Sequence, residues 1–253
     1  MSLSISEIFT SWQGEGSLTG TPSIFVRVAG CHLRCAFCDT PYAQKISDGI
    51  PMTVEKILSE VKNRAEKPIF PELSFAWKTE YQKTAFTLGI PEPTPTDHVR
   101  HVVLTGGEPM LFSETVELVQ NLRASGFHVT IETAGTHVLP LECDLISVSP
   151  KMKNSGNALP LCDVSTTLAT LTRNAHDYQI KFVTDTEKDG AEIADFLKNH
   201  PYLLPEKIFL MPQGQTVSEI LTRLPWIQNF ARSSTFSLTP RAHLFWFQAK
   251  RGV

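Results

Sequence analysis

The sequence predicts an α/β fold in which parallel strands and crossover helices form an open, partial β/α barrel. Strand-like and helix-like segments alternate along the chain, which is typical of parallel strands joined by helices. The strand-like segments number about six to eight, enough for a partial barrel. The 253 residues are 42% apolar and can build one large core, so we expect a single domain over residues 1–253.

The individual elements follow from local patterns. Short β-prone apolar runs predict strands at 23–29, 101–104, 127–131, 145–148, 179–183 and 207–210. Helical periodicity with capping residues predicts helices at 53–66, 113–126, 191–199 and 217–231. Pro225 interrupts the last of these, and we expect it to kink or divide that helix.

Residues 67–97 depart from this alternation. The segment contains five prolines and no clear periodicity, with Trp77 and Tyr81 between the prolines. A long segment of this kind is usually an inserted loop or lid, and we predict one here.

Charge and composition argue against several classes of protein. The formal net charge of −3 does not suit a surface built to grip nucleic acid. No apolar run approaches the roughly 18–20 residues that cross a bilayer. The first residues show neither the basic stretch nor the apolar core of a secretory signal. We therefore expect a cytoplasmic protein without a membrane or nucleic-acid partner.

Three cysteines, Cys31, Cys35 and Cys38, lie within eight residues in a C-x3-C-x2-C spacing. In a cytosolic chain this spacing suggests metal binding rather than disulfides. A cubane 4Fe–4S cluster has four irons, so three thiolates leave one iron open to a small molecule. The alternative is a zinc site completed by His32 or by a distant side chain. We expect the cysteines at 143 and 162 to be inert, partly buried thiols.

A second motif, LTGGEP at 104–109, follows an apolar strand and precedes a helix. Its glycines, Gly106 and Gly107, would let the backbone approach a ligand closely. The carboxyl ends of the strands are where parallel barrels build their sites. A plain tight turn explains this motif, taken alone, about as well.

The cysteine loop, with Phe37 before its third cysteine, resembles the loop of radical S-adenosylmethionine enzymes. LTGGEP resembles the element of that superfamily that receives the methionine amino group. The resemblance implies that the open iron chelates S-adenosylmethionine and that the reduced cluster yields a 5′-deoxyadenosyl radical. Six segments, in order, further resemble the 7-carboxy-7-deazaguanine synthase family: EIFTSWQGEG at 7–16, PSIFVR at 22–27, GCHLRCAFCDT at 30–40, LTGGEP at 104–109, ETAGT at 132–136 and VSPK at 148–151.

That family converts 6-carboxy-5,6,7,8-tetrahydropterin into 7-carboxy-7-deazaguanine and ammonia, on the path to queuosine-type bases. The implied steps are abstraction of the C6 hydrogen, radical ring contraction, return of hydrogen to S-adenosylmethionine and loss of ammonia. The implied substrate contacts are Trp12, Gln13, Gly14, Glu15, Arg27 and Thr105, with Arg27 on the substrate carboxylate. The implied S-adenosylmethionine contacts are Phe37, Cys38, Asp39, Gly106, Gly107, Ser149, Pro150, Lys151, Met211, Pro212, Gln213 and Gly214.

The resemblance also implies a Mg²⁺ ion on the Thr40 hydroxyl, a flavodoxin- or ferredoxin-type electron donor and a homodimer. Magnesium suits such a site because it prefers oxygen ligands and keeps water and substrate oxygens. Residues 207–253 are expected to complete the substrate side as a C-terminal extension. Some members of the family end in a proline that touches the substrate. This chain ends Lys-Arg-Gly-Val, so C-terminal contacts do not transfer.

Other interpretations remain open at this point. A glycyl-radical-enzyme activase shares the cysteine spacing and a Gly-Gly-Glu-Pro element, and a non-enzymatic metal or redox module would also explain the cysteines. Single residues have plainer roles as well: Arg27 in an ion pair, Thr40 capping a turn, Lys151 in solvent, Glu132 ending a strand and Lys181 facing a polar interior.

Overall fold

The computed structural model describes residues 2–248 and 250–252, and nine strands of that part of the chain form one continuous sheet. The strands are β1 (Ser2–Trp12), β2 (Pro22–Val28), β3 (Ile50–Thr53), β4 (His101–Gly106), β5 (His128–Thr133), β6 (Leu145–Val148), β7 (Asp177–Thr184), β8 (Ile208–Pro212) and β9 (Ser237–Leu238). The α-helices are α1 (Val54–Glu66), α2 (Gln82–Thr87), α3 (Glu114–Ala124), α4 (Leu159–Cys162), α5 (Leu168–Asn174), α6 (Glu187–Asn199), α7 (Val217–Ser234) and α8 (Ala242–Phe247).

The sheet is mostly parallel and open. Its order is β3-β1-β2-β4-β5-β6-β7-β8-β9, with every pair from β2 to β9 parallel. β1 runs antiparallel to both β2 and β3. The two edge strands, β3 and β9, do not pair with each other, so the sheet is not closed into a barrel. The predicted fold class is confirmed, and all six predicted strands are present.

The helices have the predicted apolar faces, but the Ser113 side chain makes no cap hydrogen bond at the start of α3. At the start of α1 the Thr53 side chain accepts a hydrogen bond from the Lys56 amide, 3.3 Å away. Its buried residues recur at helical spacing and pack into the main core. None of the described helices is long and apolar enough to span a membrane.

Pro225, predicted to kink or divide the last long helix, does not divide it. α7 continues from Val217 to Ser234 with the proline inside it. Its buried residues Leu224 and Ile227 flank the proline and pack in the interior. Burial of that face offsets the one backbone hydrogen bond that proline cannot donate.

Residues 67–97 contain a π-helical turn, Trp77–Tyr81, that leads into α2. The Ser74 amide donates to the Trp246 carbonyl at 2.8 Å, and the Trp246 indole donates to the Pro91 carbonyl at 3.1 Å. Trp77 is 2% exposed and lies in an apolar cluster that also contains Trp246. The segment therefore packs against α8.

Candidate active site

A cavity of about 420 Å³ opens at the carboxyl edge of the parallel strands. Loops after β1, β2, β4, β5, β6 and β8 and the chain from Arg241 onwards contribute to its walls. Parallel α/β sheets place ligands at this edge because strand-to-loop turns converge there. No residue between 67 and 97 lines the cavity, although all of them are described.

Most residues predicted for the site line this one cavity: Trp12, Gln13, Gly14, Glu15, Arg27, Cys31, Cys35, Phe37, Cys38, Asp39, Thr40, Thr105, Gly106, Gly107, Ser149, Lys151, Met211 and Gln213. Three others do not line it: Pro150, Pro212 and Gly214. These three are buried, and each is next in the chain to a residue that does.

The cysteine loop presents three free, half-buried thiols to the cavity. The Leu33 amide lies 3.4 Å from the Cys31 sulfur, and the Asn157 side-chain amide donates to the Cys35 sulfur at 3.1 Å. Burial raises the pKa of the Cys31 thiol. Within residues 2–248 and 250–252, no three His, Cys, Asp or Glu side chains form a group that could hold a single metal ion. Three cysteine donors on one cavity wall, two of them with N–H groups on the sulfur, fit a 4Fe–4S cluster.

The LTGGEP turn requires its glycines because it lies directly on the cysteine loop. The Gly107 amide donates to the Val28 carbonyl, and the Glu108 amide donates to the Gly30 carbonyl, both at 2.9 Å. A Cβ atom on Gly107 would collide with the Gly30 carbonyl. Gly106 adopts φ +123°, which other residues rarely take.

Glu108 of the same turn is 1% exposed and organises two strand ends. Its carboxylate accepts hydrogen bonds from the Met110 amide at 3.1 Å, the Thr133 hydroxyl at 2.7 Å and the Ala134 amide at 2.7 Å. The sequence motif contained this residue, but its positioning role was not predicted.

Five charged residues from distant parts of the chain form what we call the floor cluster: Glu15, Asp39, Glu132, Lys181 and Arg241. The Lys181 ammonium lies 2.8 Å from Glu15 Oε2 and 3.2 Å from Glu132 Oε1, with its side chain only 4% exposed. Burial alone would lower the pKa of Lys181, but the two carboxylates outweigh it and raise the pKa. Lys181 does face a polar interior, and that interior is the cavity.

Hydrogen bonds join Glu15 and Glu132 to other residues predicted to contact the substrate. Burial raises the pKa of Glu15, but the nearby Lys181 and Arg241 together lower it by more. Glu15 therefore stays a carboxylate. Glu132 accepts hydrogen bonds from the Thr105 hydroxyl at 2.8 Å and from the Gln13 amide at 3.3 Å. These predicted substrate contacts therefore share one hydrogen-bond network.

Arg241 was not predicted, and it links three loops. It has a left-handed backbone, φ 57°, and is 6% exposed. One Nη donates to the Gly214 carbonyl at 2.6 Å, the other donates to Asp39, and Nε lies 3.3 Å from Glu15. A non-glycine residue in this conformation is strained and persists only where its contacts hold it.

His243, on α8, also lines the cavity and was not predicted. Burial and the neighbouring Arg241 lower its pKa to about 4, so the imidazole is neutral near neutral pH. No sequence motif marks Arg241 or His243.

Aromatic side chains form one side of the cavity. Phe9 and Phe25 stack with ring centroids 5.0 Å apart, and the Arg27 guanidinium lies over Phe9 at 5.7 Å. Trp12 stacks on Phe70 of the 67–97 segment at 4.5 Å. A flat ring system would find apolar faces here.

Two smaller predictions concern single side chains. Lys151 folds back and donates to the carbonyl and the hydroxyl of Ser149, at 2.7 and 2.9 Å, so it is not a solvated loop cation. The Thr40 hydroxyl lies on the cavity wall, 3.9 Å from the Cys38 sulfur, and makes no cap hydrogen bond to the turn that follows it.

The chain was compared with known proteins, and no family model matches it. It is 35% identical to a protein named 7-carboxy-7-deazaguanine synthase from Rhodopirellula baltica, over 100% of this chain and 89% of that one. A protein of the same name from Halobacterium salinarum is 34% identical over 96% of this chain and 89% of its own length. In fold, the chain is similar to the crystal structure of QueE from Escherichia coli, with a TM-score of 0.63 and 24% identity over 94% of this chain and 93% of that one.

Proposed function

The chain belongs to the 7-carboxy-7-deazaguanine synthase family, and we propose that its cavity performs the ring contraction of 6-carboxy-5,6,7,8-tetrahydropterin to 7-carboxy-7-deazaguanine with release of ammonia. It is a radical S-adenosylmethionine lyase by this membership. The observation that supports the substrate most strongly is that the cysteine loop and the predicted pterin contacts line the same cavity.

Membership of the superfamily implies a 4Fe–4S cluster and S-adenosylmethionine, which when bound supply a 5′-deoxyadenosyl radical. Cys31, Cys35 and Cys38 would ligate the cluster. The adenosyl side would be lined by the predicted residues of that wall: Phe37, Asp39, Gly106, Gly107, Ser149, Lys151, Met211 and Gln213. Because Gly107 has no Cβ, the LTGGEP turn can pack directly against the cysteine loop, which brings both motifs to the same wall of the cavity.

The opposite part of the cavity suits the pterin. Arg27 would pair with the carboxylate through its planar guanidinium. The amino and ring N–H groups of the pyrimidine edge need acceptors, and Glu15 and Glu132 provide carboxylate oxygens. Lys181 holds both carboxylates in place and, with a raised pKa, keeps its proton near neutral pH. It therefore acts as a fixed cation and not as a general base.

Water exclusion is the other task of the residues around this site. Trp12 and the Phe9–Phe25 stack present apolar surface to the cavity, which would keep water from a reactive carbon radical.

The Thr40 hydroxyl would provide one oxygen ligand to Mg²⁺, with the remaining ligands coming from substrate and water.

The same proposal includes a flavodoxin- or ferredoxin-type donor, a cytoplasmic location and a homodimer. The electron donor can be tested by replacing dithionite with a reduced flavodoxin or ferredoxin. The homodimer can be tested by measuring the mass of the protein in solution.

The decisive experiment is an anaerobic assay of the iron-reconstituted protein with the carboxypterin, S-adenosylmethionine, Mg²⁺ and dithionite, analysed by mass spectrometry. We expect 7-carboxy-7-deazaguanine and ammonia. Cys35→Ala should lose iron and product, whereas Cys143→Ala, at a position 1% exposed and away from the cavity, should keep both.

Two other results would contradict parts of the proposal. Reductive cleavage of S-adenosylmethionine without the deazaguanine product would contradict this substrate. Bound zinc with neither activity would contradict the cluster itself. A glycyl-radical-enzyme activase is not favoured, because proteins named for the deazaguanine reaction match the full chain.

A further inference from the structure

The C-terminal tail reaches back to the cavity. Gln248, Lys250, Arg251 and Gly252 all line it, as Arg27 does. This region has no counterpart among the residues that the family resemblance could assign.

Glu7 of β1 joins Arg27 to this tail. Its Oε1 accepts hydrogen bonds from Arg27 Nε at 2.7 Å and from the Tyr42 hydroxyl at 3.0 Å. Its Oε2 lies 3.5 Å from Arg251 Nε. The Arg251 guanidinium also stacks over the Tyr42 ring, 3.9 Å from its centroid. Glu7 is therefore held between a cavity arginine and a tail arginine.

The burial of these groups makes the arrangement directional. The Arg27 and Glu7 side chains are 15% and 16% exposed, whereas the Arg251 side chain is 58% exposed. Arg251 is thus the group that can leave without disrupting the core. When it leaves, Glu7 loses the contact on Oε2, and the tail loses its hold on Tyr42.

The charges leave room for an anion. Glu7, Arg27 and Arg251, which we call the arginine clamp, carry one negative and two positive formal charges, so the group is cationic by one. Glu7 engages Arg27 through Nε, and no described residue accepts a hydrogen bond from the Arg27 Nη groups. Those N–H groups form the fork that binds a carboxylate in a bidentate manner.

We propose that Glu7 and Arg251 are positioning residues for Arg27: the tail, held to Glu7 and Tyr42 by Arg251, closes the cavity and fixes the Arg27 fork toward the substrate carboxylate. This inference rests on the proposed function, because it takes Arg27 as the group that binds that carboxylate. Binding of a carboxylated ligand and closure of the tail then favour each other, since both depend on the same orientation of Glu7 and Arg27.

The kinetic test compares Arg251→Ala and Glu7→Gln with a matched control, Arg232→Ala, which removes an exposed arginine of α7 away from the cavity. We expect each test variant to raise the KM for the carboxypterin about fivefold, with kcat and the Kd for S-adenosylmethionine unchanged. The KM of the double variant should be close to that of Glu7→Gln alone, because both changes break the same contact between Glu7 and Arg251. Arg251→Lys should restore part of the loss, since it keeps the charge but not the planar stacking on Tyr42.

A second readout does not depend on turnover. Trypsin can cut the reconstituted enzyme after Lys250 and Arg251, and mass spectrometry can follow the loss of the tail. We expect 7-carboxy-7-deazaguanine to slow this cleavage about fivefold, and 7-deazaguanine, which lacks the carboxylate, to leave it unchanged.

The outcomes separate the two proposals. Equal protection by both ligands, or an unchanged KM in Arg251→Ala, would overturn the positioning role while leaving the reaction intact. An equal loss of S-adenosylmethionine affinity would also overturn it, because it would indicate general loosening of the cavity. If wild-type protein made no deazaguanine but the carboxylated ligand alone protected the tail, the reaction would be refuted and the clamp supported.

Discussion

Replacing Lys181 by Met tests whether the floor cluster depends on its central cation. Methionine keeps most of the volume of the side chain and is one atom shorter. It removes the ammonium that lies 2.8 Å from Glu15 and 3.2 Å from Glu132. Breaking a buried ion pair by removing one partner costs about 3–5 kcal/mol. We expect the lower end, about 3 kcal/mol at neutral pH, because these carboxylates are 15% and 21% exposed and water in the cavity can partly replace the ammonium.

The sign of the pH dependence gives a sharper test of this variant. In the wild type, Lys181 and Arg241 lower the pKa of Glu15 despite its burial. Its ionised form therefore stabilises the fold at every pH above the ordinary pKa of a glutamate. Without Lys181 the carboxyl group of Glu15 becomes easier to protonate in the folded state, and its protonation relieves the repulsion from the nearby Glu132. The difference in unfolding free energy should therefore shrink between about pH 7.5 and pH 5.

The assay is urea unfolding followed by tryptophan fluorescence, at equal cluster content in both proteins. The matched control is Lys207→Met, whose partner Asp177 lies at 2.6 Å on the surface, with side chains 30% and 52% exposed. That change should cost less than about 1 kcal/mol. A Lys181→Met effect no larger than the control, or one that grows toward acid pH, would refute the argument.

Three further predictions concern positions outside the floor cluster. Burial and His128 lower the pKa of His101 to about 3. Below about pH 6.5 this group should therefore reduce the free energy of unfolding by about 1.4 kcal/mol per pH unit, and urea titrations should find a shallower slope in His101→Gln. Trp77→Ala should cost about 3–5 kcal/mol in the same assay, against less than about 0.5 for Phe86→Ser, which is 83% exposed. Glu108→Gln keeps the size but loses one of two acceptor oxygens, so we expect about 2 kcal/mol of destabilisation and reduced iron content on reconstitution.

The fold could be predicted where a segment carries its own pattern. The six parallel strands and the long helices have apolar patterns of their own, and the structure contains them. β3 and β9, of four and two residues, are too short for a pattern and exist because they pair with β1 and β8. α8 was missed because five of its six residues are buried, so it shows no amphipathic face.

The candidate site divides in the same way. Residues in compact motifs, such as the cysteine loop, could be assigned to one site from the sequence, and they line one cavity. Lys181 could not, since its partner Glu15 lies 166 residues away and only the folded sheet brings them together. Arg241 depends on a left-handed backbone that its sequence does not predict. For Lys181 a signal existed, a lone charge in an apolar strand, but that signal does not name a partner.

The floor cluster and the arginine clamp together suggest a role for the buried ion network beyond stability. Buried ion pairs rarely stabilise a fold more than apolar residues of the same volume would, so stability alone does not account for the floor cluster. Its three carboxylates and two cations sum to a formal charge of −1, whereas the arginine clamp sums to +1. The proposed substrate has the opposite polarity, with N–H donors on its pyrimidine edge and a carboxylate at the other end. Only one orientation of that molecule satisfies both groups. Reversing it would place a carboxylate against carboxylates in a partly desolvated site, where like charges are most costly. Under the proposed function, the cavity would thus select the orientation of the substrate through charge, before any step of the reaction takes place.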